Sequence, residues 1–240
     1  MTKIFKYELK RLIINKFFFI LLAITLIYSF QILNGSIIMG VAYTAPFSSW
    51  SYGMYLASVL PLLLITLLFF ITFLYSNQEK QVKQLTFATP VNLHKYYLIK
   101  CAAMATGYAI ISISTILLSF IFYGMVFQFY GFGSFIIPIL LTIFPSMFFV
   151  FGAGLLVGSV KPNLLYVLML AVLIFNSLSL PAFFDLYGSH LFGTYPLTLP
   201  VGSDGEPVFA LPLSFILGKV MFSALGVLMM LFSVRGFSNL

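Results

Sequence analysis

The side chains that could carry out chemistry are few in this chain and are not grouped as an enzyme requires. The sequence has five acids, two histidines and one cysteine in 240 residues. Acid–base, nucleophilic and metal catalysis all need at least two such groups in one site. The acids, however, lie outside the long apolar segments of the chain. We therefore predict no catalytic residue, no metal site and no enzymatic activity.

A nucleotide-binding loop is missing from the sequence as well. The phosphate loop of ATPases has the pattern G-x-x-x-x-G-K-[ST]. Gly218 and Lys219 are adjacent, but they lie within an apolar segment and the first glycine is absent. Cys101, the single cysteine, has no partner for an internal disulfide, and we expect it to have a packing role. We expect no cofactor on this chain, so any ATP-driven work needs another polypeptide.

Composition and segment length are typical of a membrane protein. The residues are 62% hydrophobic and only 7% charged, against about a quarter charged in soluble domains. Six segments reach the roughly 20 apolar residues that a membrane-spanning helix needs: 17–39, 54–75, 101–127, 135–157, 164–184 and 211–234. Each is apolar all round, which favours helices over barrel strands. The predicted fold is a single all-α polytopic membrane domain, residues 1–240, with six transmembrane helices.

The basic residues predict the orientation, because Lys and Arg near the ends of spans are retained in the cytoplasm. Eleven of them fall on one side of the six segments: Lys3, Lys6, Lys10, Arg11, Lys16, Lys80, Lys83, Lys95, Lys100, Lys161 and Arg235. The opposite loops, near 40–53, 128–134 and 185–210, contain no Lys or Arg. We predict a multi-pass protein of the cell (plasma) membrane with both termini in the cytoplasm. His94 and His190 then lie on opposite sides.

The net charge of +7 has the same explanation. The basic residues line the faces that meet anionic lipid headgroups, and the chain has no soluble basic domain. We therefore expect the lipid bilayer as a partner and no nucleic acid.

Residues 1–16 form an amphipathic prefix. Apolar side chains recur at helical spacing at Ile4, Phe5, Leu9, Leu12 and Ile13, and Lys3, Lys6, Lys10 and Arg11 occupy much of the remaining circumference. This pattern predicts an interfacial helix on the cytoplasmic leaflet, with Phe5, Leu9, Leu12 and Arg11 as its characteristic residues. The helix could have a docking role or could serve only to fix the topology. Glu8 is expected to pair with a basic residue one turn away, at an exposed site.

The cytoplasmic loop, residues 76–100, contains a short apolar set outside the membrane. Leu85, Phe87 and Val91 surround the break at Thr89 and Pro90, after the polar stretch that begins near Glu79. Exposed apolar residues of this kind should be covered, either by the protein's own helix ends or by a soluble partner.

In this loop the chain resembles the integral-membrane permease of type 2 ABC exporters. The family has an acid, a Leu, a Thr-Pro-Val stretch, an aromatic and a Lys entering the third span. They are matched in order by Glu79, Leu85, Thr89, Pro90, Val91, Tyr96 or Tyr97, and Lys100. The basic amphipathic start, the six spans and the Pro-rich outer segment match as a pattern over the whole length. The Gly-Thr that often precedes the Leu is absent.

The resemblance implies that the loop is a coupling helix seated in a separate ATP-binding subunit. The coupling residues would be Glu79, Leu85, Phe87, Thr89, Pro90 and Val91. It further implies two copies of the ATP-binding cassette subunit, which would hold the ATP and Mg, and a second permease, identical or paralogous.

The outer segment, 185–210 with its flanks, mixes Pro and Gly with aromatic residues. Within and beside it, Phe184, Tyr187 and Tyr195 are candidates for an outer gate, since the family has a hairpin here that caps the exit path. Part of the segment is expected at headgroup depth before the last span, as short helices or as a re-entrant or interfacial hairpin protected by protein. The alternative is an interfacial loop with anchoring aromatics.

Two features inside the spans also have alternative explanations. Lys219 lies about two turns from the outer end of the last segment, so it could extend to the surface or face a cavity. Gly152, Gly154 and Gly158 form small-residue faces that predict close helix packing.

The function predicted from these features is that of a permease subunit exporting an amphipathic or hydrophobic cargo such as a peptide, drug or lipid. A non-transporting membrane anchor or assembly subunit is the alternative, because it too would have basic inner loops and no catalytic residues.

Overall fold

The computed structural model of the chain describes residues 2–76, 79, 81, 93–202 and 205–238. Eight α-helices occupy most of this part: α1 Thr2–Ile13, α2 Lys16–Ile32, α3 Ser49–Leu74, α4 Leu93–Phe127, α5 Ile136–Val160, α6 Leu164–Asn176, α7 Ser189–Thr194 and α8 Leu213–Ser238. A π-helical turn, Leu33–Ile37, extends α2, and 3-10 turns at Phe132–Phe135 and Tyr195–Thr198 adjoin α5 and α7. The described residues form no β-strand beyond one isolated bridge between Val201 and Pro207. The predicted all-α class is confirmed for them.

Five helices of the described part are long and apolar enough to cross a membrane: α2, α3, α4, α5 and α8. The predicted segment 164–184 differs, because its helix α6 ends at Asn176 after 13 residues. That is about 20 Å, short of a hydrocarbon core of about 30 Å. Ser177, Ser179 and Pro181 follow α6 in the sequence, and a proline disfavours helical geometry in the residue before it.

Helix α3 is the central helix of the bundle. It contacts α2, α4, α5, α6 and α7, so few of its side chains reach the surface. Its sequence is apolar all round, which is the composition expected of a helix surrounded by others. Ser48 precedes the helix as its N-cap, and its side chain accepts a hydrogen bond from the Ser51 amide, as N-cap serines do.

Helices α5 and α8 pack closely through glycine. A Cβ atom added at Gly152 would lie 2.3 Å from the carbonyl oxygen of Gly226, and one added at Gly226 would lie 2.3 Å from that of Phe148. Gly154 and Gly158 face side chains of Leu68 and Tyr75. The predicted close packing at these glycines is confirmed, and the contacts lie within this chain.

The bundle has two ends that differ in composition. We call one the basic end; it holds Arg11, Lys100 and Lys161. Four helices meet there at a hydroxyl cluster: Tyr75 donates to the Leu155 carbonyl at 2.7 Å, and the Tyr97 hydroxyl lies 3.3 Å from that of Tyr75 and 3.0 Å from Ser233 Oγ.

We call the other end the aromatic end. Its loops are joined by Trp50, which donates to the Pro207 carbonyl at 3.2 Å, and by Ser49, which donates to the Ser134 carbonyl at 3.1 Å. The chain therefore passes from Lys161 at the basic end to Pro207 at the aromatic end, although α6 alone is short.

Candidate functional site

A cluster of four charged side chains at the basic end joins three separate elements. Glu8 and Arg11 come from α1, Glu79 from the segment after α3, and Lys100 from the first turns of α4. Arg11 Nη2 lies 3.0 Å from Glu8 Oε2 and 2.9 Å from Glu79 Oε2. Lys100 pairs with Glu79, lies 3.8 Å from Glu8 Oε1 and stacks over the Tyr96 ring at 4.5 Å. The four formal charges balance.

The cluster forms because the amphipathic sequence of α1 lies against α4. Leu12 packs on the hydrophobic core, close to Gly107, where a Cβ would lie 2.6 Å from Leu12 Cδ2. Glu8 is one turn before Leu12 on the same face and is therefore also directed inward. The predicted pairing of Glu8 with a basic residue one turn away is confirmed with Arg11. Its predicted exposure is wrong, since Glu8 is only 7% exposed.

Burial makes this cluster energetically sensitive. Glu79 is 7% exposed and Lys100 is 5% exposed, whereas the Arg11 side chain is 45% exposed. A buried ion pair gains little net free energy over apolar packing, but the loss of one partner leaves an uncompensated charge and costs roughly 3–5 kcal/mol. Each charge therefore fixes the position of the others, and α1 is held to both flanks of the loop 76–100.

A cavity of about 330 Å³ adjoins the cluster. Its polar wall includes Glu8, Arg11 and Lys100, and its apolar wall includes Phe70 and Phe73 of α3. Beside this cavity, α1 is attached by the ion pairs and by Leu12 and Ile13, which pack against the core.

Most of the predicted coupling residues lie outside the described residues: Leu85, Phe87, Thr89, Pro90 and Val91. Glu79 is the described member, and it belongs to the charged cluster. Of the later matches, Tyr97 is buried in the hydroxyl cluster and Lys100 binds Glu79. The acid and the lysine that flank the loop in sequence thus meet in space.

The predicted interfacial residues have different surroundings. Phe5, Leu9 and Leu12 are all partly buried, and Leu12 packs against the core. Arg11 is exposed, and it forms ion pairs with the carboxylates of Glu8 and Glu79. One face of α1 therefore packs against the rest of the protein.

The three outer-gate candidates are not brought together. Phe184 is 51% exposed, whereas Tyr187 is buried and donates to the Val172 carbonyl at 3.0 Å. Tyr195 lies against Trp50, with ring centroids 6.0 Å apart. Tyr187 and Tyr195 hold the outer segment on the bundle.

Sequence reasoning missed a buried polar site that attaches this segment. Asp185 accepts the Gly188 amide at 2.7 Å and the Leu191 amide at 3.0 Å, which are at the start of α7. Ser146 Oγ and Lys219 Nζ both donate to the Leu186 carbonyl, at 2.8 and 2.5 Å. An acid three residues before a glycine at a helix start is the signal that could have identified Asp185.

Of the two alternatives for Lys219, extension to the surface is not what the structure shows. The residue is 2% exposed, and its ammonium lies 4.6 Å from the Phe215 ring centroid as well as on the Leu186 carbonyl. The outer segment covers the position that the side chain would need to reach water.

Comparison with known proteins gives no relative from which a role could be transferred. No protein-family model matches the chain, and neither a curated protein nor a solved structure shows a significant match to it.

Proposed function

We propose that this chain is the membrane-spanning permease subunit of an ATP-driven exporter. The observation that carries the proposal is the charged cluster that ties α1 to both flanks of the cytoplasmic loop. A loop that receives force from a partner needs a rigid attachment to the spans, and Glu79, Lys100 and Arg11 offer one.

The proposed topology has six crossings with the basic end in the cytoplasm. Five of them are the long apolar helices, and the sixth is α6 together with the chain up to the outer segment. Two facts support the sixth crossing: Tyr166 of α6 shares a pocket with Lys161, and Pro207 binds Trp50 at the other end. The absence of Lys and Arg from the loops of the aromatic end supports the orientation.

The proposed mechanism begins at the loop and uses the cluster as its mechanical link. Closure of two ATP-binding subunits would displace the loop residues Leu85 to Val91. Glu79 and Lys100 would pass this displacement to α3, α4 and, through Arg11 and Glu8, to α1. Spans packed through glycine contacts, such as α5 and α8, would then move as a rigid pair.

The assembly that this proposal requires contains two ATP-binding subunits and a second permease, identical or paralogous. ATP and Mg would be held by the ATP-binding subunits. The expected cargo is amphipathic or hydrophobic. A non-transporting anchor subunit would need no attachment of α1 to both sides of the loop, so the cluster favours the permease.

The experiment that tests the proposal is purification of the tagged chain from membranes of its native cells. Wild-type protein should retain a soluble protein with a phosphate-binding loop. Leu85→Asp should release it, because a carboxylate at an apolar contact is desolvated without a partner. Leu197→Asp is the matched control, since Leu197 is 53% exposed in the outer segment.

Two results would reject the proposal. One is wild-type protein that copurifies with no ATPase at all, which would favour the anchor subunit. The other is full retention of the ATPase by Leu85→Asp, which would remove the loop as the docking element.

A further inference from the structure

A second cavity lies at the aromatic end, away from the charged cluster. Its volume is about 600 Å³, and its lining comes from the chain before and at the start of α3, from the turn after α4, and from the stretch after the outer 3-10 turn. It is large enough for a small organic molecule, since ligand sites have volumes of roughly 300–1,000 Å³. Nothing in the proposed coupling mechanism uses it.

Aromatic rings form much of the cavity wall. Phe47 stacks on Phe129 with ring centroids 5.1 Å apart and an interplanar angle of 21°. Trp50 meets Phe209 at 4.8 Å and 60°. All four residues line the cavity. Because the face of an aromatic ring carries negative charge density, such a wall attracts organic cations.

One carboxylate, that of Glu206, lies in the same wall. Its Oε1 atom accepts a hydrogen bond from the Ala45 amide at 2.9 Å. The Glu206 backbone carbonyl accepts the Gly202 amide at 2.8 Å, so a tight turn fixes the residue. Among the described residues no basic side chain pairs with this carboxylate, which leaves Oε2 for a ligand.

The charge around the cavity has one sign. The sequence has no Lys or Arg in residues 40–53, 128–134 or 185–210, which are the loops of this end. A cleft lined by one sign of charge raises the local concentration of the opposite ion. A cation is therefore favoured, and an anion is disfavoured.

We propose that this cavity binds a quaternary ammonium group, with the cation between the aromatic rings and Glu206 Oε2. The group could belong to a lipid headgroup or to a free molecule, since both present the same chemistry. This inference goes beyond the exporter proposal, because the cavity belongs to the chain alone and needs no ATPase.

The chain contains its own reporter for a binding test. Trp50 is the single tryptophan, and it lines the cavity. We would purify the chain in a non-ionic maltoside detergent, which adds no surface charge, and titrate choline while recording Trp50 emission. The control ligand is the neutral analogue of choline in which carbon replaces the nitrogen. Choline should give a saturable change, and the neutral analogue should bind at least about fivefold more weakly.

Two variants separate a cation site from a plain apolar cavity. Glu206→Gln keeps an oxygen for the Ala45 amide and should weaken choline binding about fivefold. Phe209→Leu keeps apolar volume without the ring, so it should weaken choline binding more than binding of the neutral analogue. Ser134→Ala, on the same wall, should leave both unchanged. Unliganded emission and elution volume equal to wild type would show that each variant is folded.

The lipid source is tested by adding phosphatidylcholine, which has no net charge, to the maltoside micelles. A headgroup that occupies the cavity should weaken the apparent choline affinity, whereas a site for free cations should keep it. Absence of a saturable choline signal in maltoside would overturn the proposal. Equal binding of choline and its neutral analogue, or an unchanged choline affinity in folded Glu206→Gln, would also overturn it.

Discussion

The two ends of the bundle are held together by different interactions. At the basic end, α1, the segment after α3 and the start of α4 are joined by four charges, three of which, on Glu8, Glu79 and Lys100, have little access to water. At the aromatic end, the loops are joined by rings and by side chains that donate to backbone carbonyls, as Trp50 does to Pro207.

This difference has a mechanical consequence. A buried charge cluster is stable only with all its partners in place, so a displacement of one element is costly unless the others follow. At the aromatic end most of these contacts are between neutral groups and are individually weaker, so the loss of one is tolerated. The buried Asp185 carboxylate and Lys219 ammonium are the exceptions there. The basic end is therefore suited to transmit motion, and the aromatic end is suited to keep its shape.

The largest expected effect concerns the side of the membrane on which each end lies. In a Cys101→Ser background, Lys161→Cys and Val208→Cys should react with an impermeant maleimide from opposite sides of intact cells, because both positions are exposed. Val208→Cys should label from outside, and Lys161→Cys only after permeabilisation. If both positions label from outside, residues 161 and 208 lie on the same side of the membrane. The chain would then not cross six times, and the two ends of the bundle would not lie on opposite sides.

The next effect in size tests whether the charges of the basic end depend on one another. Lys100→Met leaves Glu8 and Glu79 with only Arg11, and we expect a loss of about 3 kcal/mol in the free energy of unfolding. Unfolding in mixed detergent and SDS micelles measures this loss. Lys10→Met is the control, since Lys10 is exposed on the same helix.

A double variant sharpens the same test. Glu79→Gln combined with Lys100→Met should cost less than the sum of the two single losses, because removing both partners leaves no uncompensated charge and Glu8 keeps Arg11. Additive losses in the double variant would mean that the two side chains act independently.

A smaller effect is expected at the attachment of the outer segment. Asp185→Asn keeps one oxygen for the Gly188 or the Leu191 amide but loses the charge and the second acceptor. We expect a loss of about 1–2 kcal/mol, by the same unfolding measurement. A loss as large as that of Lys100→Met would contradict the assignment of the costlier contacts to the basic end.

The smallest effect is expected for Lys219→Met. The Leu186 carbonyl retains Ser146 as a donor, and methionine fills the volume beside Phe215. Hydrogen bonds between membrane helices contribute on average only about 0.6 kcal/mol, so stability should change by less than about 1 kcal/mol. A loss above about 3 kcal/mol would give Lys219 the same importance as Lys100.

The sequence predicted the features that depend on local pattern. Long apolar segments predicted five of the helices, and the glycines at 152, 154 and 158 predicted the close packing around α5. The helix predicted at 164–184 was too long, because the hydropathy of a segment does not indicate where its helix ends. Helix α6 ends at Asn176, before Ser177 and Pro181. Contacts between distant elements were beyond such prediction: nothing local to Glu8 indicates that Lys100 lies beside it, and nothing near Lys219 indicates that the Leu186 carbonyl covers its ammonium.

The central claim is that the loop at the basic end docks on an ATPase, and crosslinking from single cysteines tests it most directly. Phe87→Cys and Val208→Cys, each with Cys101→Ser, would be treated in native membranes with a bifunctional maleimide. We expect a crosslink to a protein with a phosphate-binding loop from position 87 and none from position 208. If thiol labelling is complete at both positions and position 87 gives no such product, or both positions give it, the loop is not the docking element.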